Sequence, residues 1–526
     1  MVAVSRRGFI LGAVATGAAA AVPLALPGAA QSGSPEPMPA ARLPKPFQRP
    51  LPIVRNAVPV VSTPNTDYYV LRMRPFEAEI VPGFRTALWG YDGIAPGPTI
   101  RTTRGRKVVA RFINELPGFH PALGYATYTS VHLHGGMSKP QYDGYASDVI
   151  QPAQYKDYRW DNNECSRSLW YHDHAVHHTW TNVAMGLAGR YLIDDPDDAK
   201  FQLPTGQYDV SLHISDALFQ ADGQLYLAID DTKGYWGDVI TVNGAPWPVM
   251  RVQRRKYRFR LVNGCVARSM VLRLSTGDAF QVIATDAGLM PAPATTTRMR
   301  FHNGERYDIV IDFAKYPPGT RVVLRNNSFD YNDDYANTDK VMAFDVTDEP
   351  FDPRNNRVPS TLRPENEIST RPVPKDVKLR RFRTERQGGE WTVNGYTWND
   401  VIDSNYQLVA ATPMVGDVEL WEFHNSSGGW THPMHIHGVD GRLVSRNGLP
   451  PLPYERGPKD TYFVGTNETL RVLMKFEHPG KYMIHCHNGV HEDHDMMVQY
   501  ETVDPSGVPA DDPFDARAAD YTGQEL

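Results

Sequence analysis

The strongest regularity along the chain is a period-two alternation of apolar and polar side chains in short runs. Tyr257, Phe259 and Leu261 alternate with Arg258 and Arg260, and Asn263-Gly264 closes the run. Successive side chains of a strand point to opposite faces, so this run predicts a strand with one apolar face. Tyr307 to Phe313 and Val322 to Leu324 predict two more, separated by the Pro317-Pro318-Gly319 turn. Leu470 to Phe476, then Pro479-Gly480, then Lys481 to His487 reads as a hairpin. Runs of this length and spacing predict an all-β protein built from sandwich or barrel domains. Other stretches break the pattern. Ser5-Arg6-Arg7-Gly8-Phe9-Ile10 precedes an Ala-rich apolar run to about Leu26, which predicts a twin-arginine export signal over residues 1–30. That implies a periplasmic or extracellular protein. Residues 31–46 read as a flexible leader, the Pro- and Arg-rich 351–378 as an interdomain linker, and 506–526 as a polar tail.

Composition narrows the class. The 526 residues include 43 Pro and 42 Gly, a balance that suits many short strands and turns. The formal net charge of −6 comes with no basic stripe, which argues against a nucleic-acid partner. Beyond the N-terminus no apolar run is long enough to cross a bilayer, so no stable membrane insertion is expected.

Candidate chemistry is concentrated in paired histidines. Val131-His132-Leu133-His134-Gly135 is followed by Trp170-Tyr171-His172-Asp173-His174. Late in the chain, Met434-His435-Ile436-His437-Gly438 is followed by His485-Cys486-His487. Each copy is H-x-H-G and then H-x-H, so the two outer parts read as duplicates, while the middle has no H-x-H. On a strand both rings of an H-x-H share one face and the residue between them takes the other. Eight such rings suit a cluster of three metals better than a single site. Cys486 then faces away from its neighbours, with His491 and Met496 downstream and His432 three residues before His435. One thiolate, two imidazoles and a weak axial thioether form the ligand set of a blue-copper electron-transfer site. Met497 reads as packing. A lone histidine is more often structural than a ligand. On that ground His120, His177, His178, His213, His302, His424, His478 and His494 read as surface or structural. Cys165 and Cys265 are either a disulfide, favoured by an oxidising compartment, or two separate buried thiols.

Together the four motifs resemble the multicopper oxidases at every ligand position. That resemblance assigns His132 and His435 to a T2 copper and His134, His172, His174, His437, His485 and His487 to a T3 pair. With the T1 set of His432, Cys486, His491 and Met496, it implies four copper ions. Within the family, Tyr235-Trp236-Gly237-Asp238-Val239-Ile240, Val242-Asn243-Gly244-Ala245-Pro246-Trp247-Pro248 and Gly429-Trp430-Thr431-His432-Pro433 are most similar to the bilirubin oxidases. Spore-coat laccases and phenoxazinone synthases come next. Three cupredoxin-like Greek-key domains are implied, at 47–205, 206–350 and 379–505, with T1 in the third and the cluster between first and third.

The implied activity is oxidation of an organic donor (bilirubin, a phenol or an aromatic amine), one electron at a time, coupled to reduction of dioxygen to water. Expected partners are therefore dioxygen and a small aromatic or tetrapyrrole donor, acting on a monomer. Two other readings stand beside it: a metallo-oxidase of Cu(I) or other ions, and a non-catalytic copper carrier or envelope scaffold. No Met-rich insert is visible among the 16 methionines, and all eight cluster histidines are present. Asp143, in Gln141-Tyr142-Asp143-Gly144, and Glu492, directly after His491, match positions where bilirubin oxidases and related laccases carry acids beside the cluster. As a proton relay they are catalytic; otherwise Asp143 forms an Asp-Gly turn and Glu492 a surface ion pair.

Overall fold

The computed structural model describes residues 36–227, 233–363 and 367–523. The expected export signal, 1–30, and the start of the expected leader lie outside the described residues.

Six β-sheets use three successive parts of the chain. One strand order recurs in all three. Thr66–Ala78 runs parallel to Lys107–Asn114, which pairs antiparallel with Gln154–Trp160. Asp209–Ala217, Lys256–Asn263 and Arg306–Asp312 repeat that order, and so do Lys378–Gln387, Val418–Asn425 and Thr469–Lys475. Parallel neighbours need a crossover rather than a tight turn, which gives the Greek-key wiring of an all-β, cupredoxin-like fold. The middle sandwich shares this order although it carries no H-x-H.

Apolar faces meet between paired sheets. Leu71 and Phe112 from one sheet of the first sandwich, and Leu133 and Tyr171 from the other, belong to a buried cluster. The same cluster continues through Phe259 and Leu272 of the second. The third sandwich has its own core, including Phe423, Val472, Ile436 and Ile484. It meets the others partly through buried ion pairs: Arg167 with Asp440 at 2.8 Å, Lys459 with Asp286 at 2.8 Å, and Arg306 with Asp460.

Several sequence expectations are corrected. Leu470 to Phe476 and Lys481 to His487 are not a hairpin: Thr469–Lys475 pairs with Val418–Asn425 and Gly441–Arg446, whereas Gly480–Cys486 pairs with His432–Ile436 and Met497–Thr502. The chain arches between opposing sheets at Pro479, because both strands must turn apolar faces into one core. Arg258 and Arg260 lie on the polar face of their strand. They are buried against Asp308 and Asp209, since the first sandwich covers that face and Ser168 donates to Asp308 at 2.9 Å.

Segments read as loose are docked. In the leader, the Met38 side chain is buried and its N–H donates to the Phe219 carbonyl at 2.8 Å. In the linker, Arg255 donates to the carbonyls of Arg354 and Asn355, and Arg363 binds Asp195 and Asp198. The polar tail returns to the first sandwich, where Ala519–Asp520 adds to the edge at Gln154–Tyr155 and Phe514 packs on Tyr145 and Tyr406. Cys165 and Cys265 are free. No described helix is long and apolar enough to cross a membrane.

Candidate metal centre

Two strand pairs carry the histidines. Val131–His134 pairs with Arg167–Asp173 in a register that sets His132 opposite His172. His432–Ile436 pairs with Gly480–Cys486 and sets His435 opposite His485. All eight H-x-H rings are buried, none more than 6% exposed. They fall into groups whose ligand atoms lie within 4.8 Å of one another: His134, His172 and His487; His174, His437 and His485; and His132 with His435, joined by His134.

Hydrogen bonds fix which nitrogen is available. Nδ1–H of His435 donates to the Asp460 carbonyl at 3.0 Å, that of His172 to the Asp173 carbonyl at 2.8 Å, and that of His132 to the Asp143 carbonyl. Nδ1–H of His437 donates to Asp143 Oδ2 at 2.8 Å, and that of His485 to the Cys486 carbonyl at 3.3 Å, with Glu492 Oε2 3.0 Å from the same nitrogen. Each of these rings therefore turns an Nε2 lone pair inward. His134 reverses the roles, giving Nε2–H to Asp460 and Thr461 and leaving Nδ1 inward. The inward atoms nearly touch: His132 and His435 at 3.3 Å, His437 and His485 at 3.1 Å, His487 and His134 at 3.1 Å. Converging lone pairs repel unless a cation sits among them, and orienting acceptors of this kind accompany metal-bound imidazoles. Burial lowers the basicity of His174 to about 4 and of His487 to about 3, so these two rings are neutral and able to ligate.

A further group lies on the opposite face of the Gly480–Cys486 strand. His432 Nδ1 is 3.4 Å and His491 Nδ1 3.5 Å from Cys486 Sγ, and the two nitrogens are 3.2 Å apart. Nε2–H of His432 donates to Ser427 Oγ at 2.8 Å. The Trp391 ring packs 4.1 Å from His491. Burial pushes the Cys486 thiol up, so a bound cation would have to draw off its proton. Met496 shares the buried cluster of Cys486, whereas Met497 packs with Tyr145 and Trp398 in another.

The donor set suits copper: neutral imidazoles alone in the inner groups, thiol with two imidazoles in the outer. The structure thus brings together His132, His134, His172, His174, His435, His437, His485 and His487, and separately His432, Cys486 and His491, with Met496 in the buried cluster that holds Cys486. Asp143 and Glu492 are both buried against ligand-type rings, neither a surface pair nor merely a turn. Burial raises the Asp143 carboxyl well above its ordinary value. Burial would raise Glu492 too, but the His485 and His174 imidazoles outweigh it and hold it down.

Asp460 was not foreseen. Its carboxylate bonds His134 at 3.2 Å and its carbonyl bonds His435, while Arg306 holds the carboxylate at 2.7 Å. Nothing in the run Gly457-Pro458-Lys459-Asp460-Thr461 marks it, because its link to His435 arises from the strand pairing of His435 with Thr461.

Family models described as multicopper oxidase match residues 74–198, 209–343 and 370–506. Bilirubin oxidase of Albifimbria verrucaria is 40% identical over 476 residues, covering 86% of this chain and 80% of that protein. Laccase of Bacillus subtilis is 32% identical over 520 residues, covering 86% and 98%. Among solved structures, a laccase from Pediococcus acidilactici is similar with TM-score 0.77 at 28% identity, over 90% of this chain and 97% of that one.

Proposed function

Because this chain belongs to the multicopper oxidases, oxidoreductases with oxygen as acceptor, we propose that it couples one-electron oxidations of an organic donor to reduction of dioxygen to water. In this reading His432, Cys486, His491 and Met496 hold T1, His132 and His435 hold T2, and the two three-histidine groups hold the T3 pair, four ions in all. Copper at these groups supplies one-electron acceptance at the outer site and dioxygen reduction at the inner one.

The residues have separable tasks. Cys486 is joined through the peptide chain to His485 on one side and His487 on the other, so the outer and inner groups are one residue apart. Asp143 holds the tautomer of His437 through Nδ1, Glu492 lies 3.0 Å from His485 Nδ1, and these two carboxyls beside the rings pass protons inward. Asp460 and Arg306 fix His134 and His435 from the second sandwich's side. Similarity to bilirubin oxidase and laccase supports an aromatic or tetrapyrrole donor. The same reading takes 47–205, 206–350 and 379–505 as three domains of a monomer exported by the signal at 1–30.

The observation that carries this reading is the convergence of imidazole lone pairs into groups that require cations. Oxygen uptake by copper-loaded protein, with bilirubin and with 2,6-dimethoxyphenol, tests it. Uptake with either donor is expected. Full copper occupancy with no uptake on either would refute an oxidase and favour a copper carrier.

A further inference from the structure

A cavity of about 710 Å³ opens where the second and third sandwiches meet, a volume within the range of small-molecule sites. Phe329, Tyr331 and Phe463 give it aromatic walls. It adjoins a smaller cavity lined by His491 of the outer metal group, the two sharing Phe329, Asp330, Tyr331 and Thr431. Gly465 lines it too, and its neighbour Val464 is the strand partner of His432.

Arg298 and Arg300 stand in the same wall. Met299 and Phe301 are buried, so strand alternation turns both arginines to the open side. Among the described residues neither guanidinium has a hydrogen-bond or ion-pair partner. The acids that line the cavity do not neutralise them. Glu468 is engaged by Arg446 at 2.9 Å, and Asp330 is exposed. Two unmatched guanidiniums therefore face one solvated carboxylate, within a cavity that adjoins the one lined by His491. Guanidinium binds carboxylate through a two-point fork and holds its charge at any working pH.

We infer that Arg298 and Arg300 form a carboxylate-recognition site that makes this oxidase selective for aromatic donors bearing acid groups, a dicarboxylate tetrapyrrole being the size and charge that fits. This rests on the oxidase reading above. The arginines touch the donor's acid groups, and the aromatic walls take its rings, which brings its oxidisable edge toward the adjoining cavity that His491 lines. They determine specificity and take no part in dioxygen reduction.

The test compares bilirubin, which carries two propionates, with its neutral dimethyl ester on copper-loaded wild type, R298Q, R300Q and the double variant. The ratio of kcat/KM for the acid to kcat/KM for the ester is the readout, since intrinsic reactivity cancels between variants. That ratio should fall roughly ten-fold per arginine, the size of one charge-assisted hydrogen bond, with the change carried by KM. R300K, which keeps the charge but loses the fork, should recover part of it. An unchanged ratio in the double variant, with oxygen still consumed, would overturn the inference alone. If the wild type consumes no oxygen with bilirubin, the ester or 2,6-dimethoxyphenol, the oxidase reading falls and takes the inference with it.

Discussion

The strand ends His172-Asp173-His174 and His485-Cys486-His487 occupy matching places in the first and third sandwiches. In one, Val131 pairs with Asp173 and His132 with His172; in the other, Met434 pairs with Cys486 and His435 with His485. The backbone bond that follows is also repeated, His174 N–H to Ser130 and His487 N–H to Pro433, both 2.7 Å. Only the far face differs. Asp173 accepts from the N–H groups of Ser130 and Ala175 and from Asn182 Nδ2, at 2.8–3.1 Å. Cys486 instead faces His432 and His491. Thr129 stands where the third sandwich has His432, and Pro433, which has no N–H, stands where the first has Ser130. A carboxylate there needs donors and a thiolate needs imidazoles. The shared backbone aims the inner rings, while the middle residue and its immediate neighbours decide whether the outer face is an anchor or a redox centre.

The sharpest way to break this comparison is to exchange the middle residues. Cys486→Ser should abolish the intense blue absorbance, remove one copper per chain and drop turnover to background, while the inner histidines keep theirs. Metal analysis and absorbance of the loaded variant check it; a persisting blue band would mean that Cys486 is not the thiolate ligand. The reverse graft, Asp173→Cys, should give no second blue band, because Thr129 and Asn182 offer no imidazole. A new blue band there would show that the middle residue alone decides. Asp173→Ala should instead lower the unfolding free energy by about 3 kcal/mol, since it strands two buried N–H groups and an amide. Denaturant titration measures that, and a loss below about 1 kcal/mol would mean water replaces the carboxylate.

The halves also exchange support. Asp143, from the first sandwich, bonds His437 of the third, and Glu492, from the third, lies 3.6 Å from His174 of the first. Asp143→Asn and Glu492→Gln should each slow dioxygen reduction on the order of 10-fold while the blue band remains. Anaerobic bleaching of that band by donor should keep its wild-type rate, because the outer centre is untouched. Stopped-flow reoxidation separates the steps, and wild-type reoxidation in both variants would remove the carboxylates from proton delivery.

How much of this was legible in the sequence follows from the range of each interaction. H-x-H pairs are local patterns at strand ends, where period two tells which face each side chain takes, and the Cys486, His491, Met496 spacing is local to one strand end and the short helix Gly489–Asp493 that follows it. The duplicate halves were legible for the same reason. What sequence could not give is pairing between distant segments. The supposed hairpin at Pro479 failed because two apolar strands joined by a short loop fit either one sheet or two opposed ones. Alternation puts Arg258 and Arg260 on one face of their strand but cannot reveal that another sandwich covers that face. Asp460 reaches His435 only through strand pairing, and Arg298 and Arg300 gain meaning only from the cavity they line.

The subtlest difference between the halves lies one strand further on. Cys486 N–H donates to the Met496 carbonyl at 3.1 Å, and Asp173 N–H donates to the Leu187 carbonyl at 3.1 Å, so Met496 and Leu187 hold matching positions. Met496 N–H also donates to the His491 carbonyl at 3.0 Å, which ties it to a second member of the outer group. Met497 is the strand partner of His485 and turns into a different cluster. In the proposed reading the Met496 thioether is a weak axial ligand, and the strength of such a ligand tunes the potential of a blue-copper site. Met496→Leu copies the first sandwich and removes the axial donor, so the potential should rise. Met496→Gln supplies a stronger oxygen donor, so it should fall. In both, the blue band should persist in shifted form, because Cys486 and the two imidazoles dominate it, and Met497→Leu should shift neither band nor potential. Redox titration of the blue band orders the four proteins. The same potential in wild type and both Met496 variants would make Met496 a packing residue, equivalent in kind to Leu187, and would leave His432, His491 and Cys486 as the whole outer site.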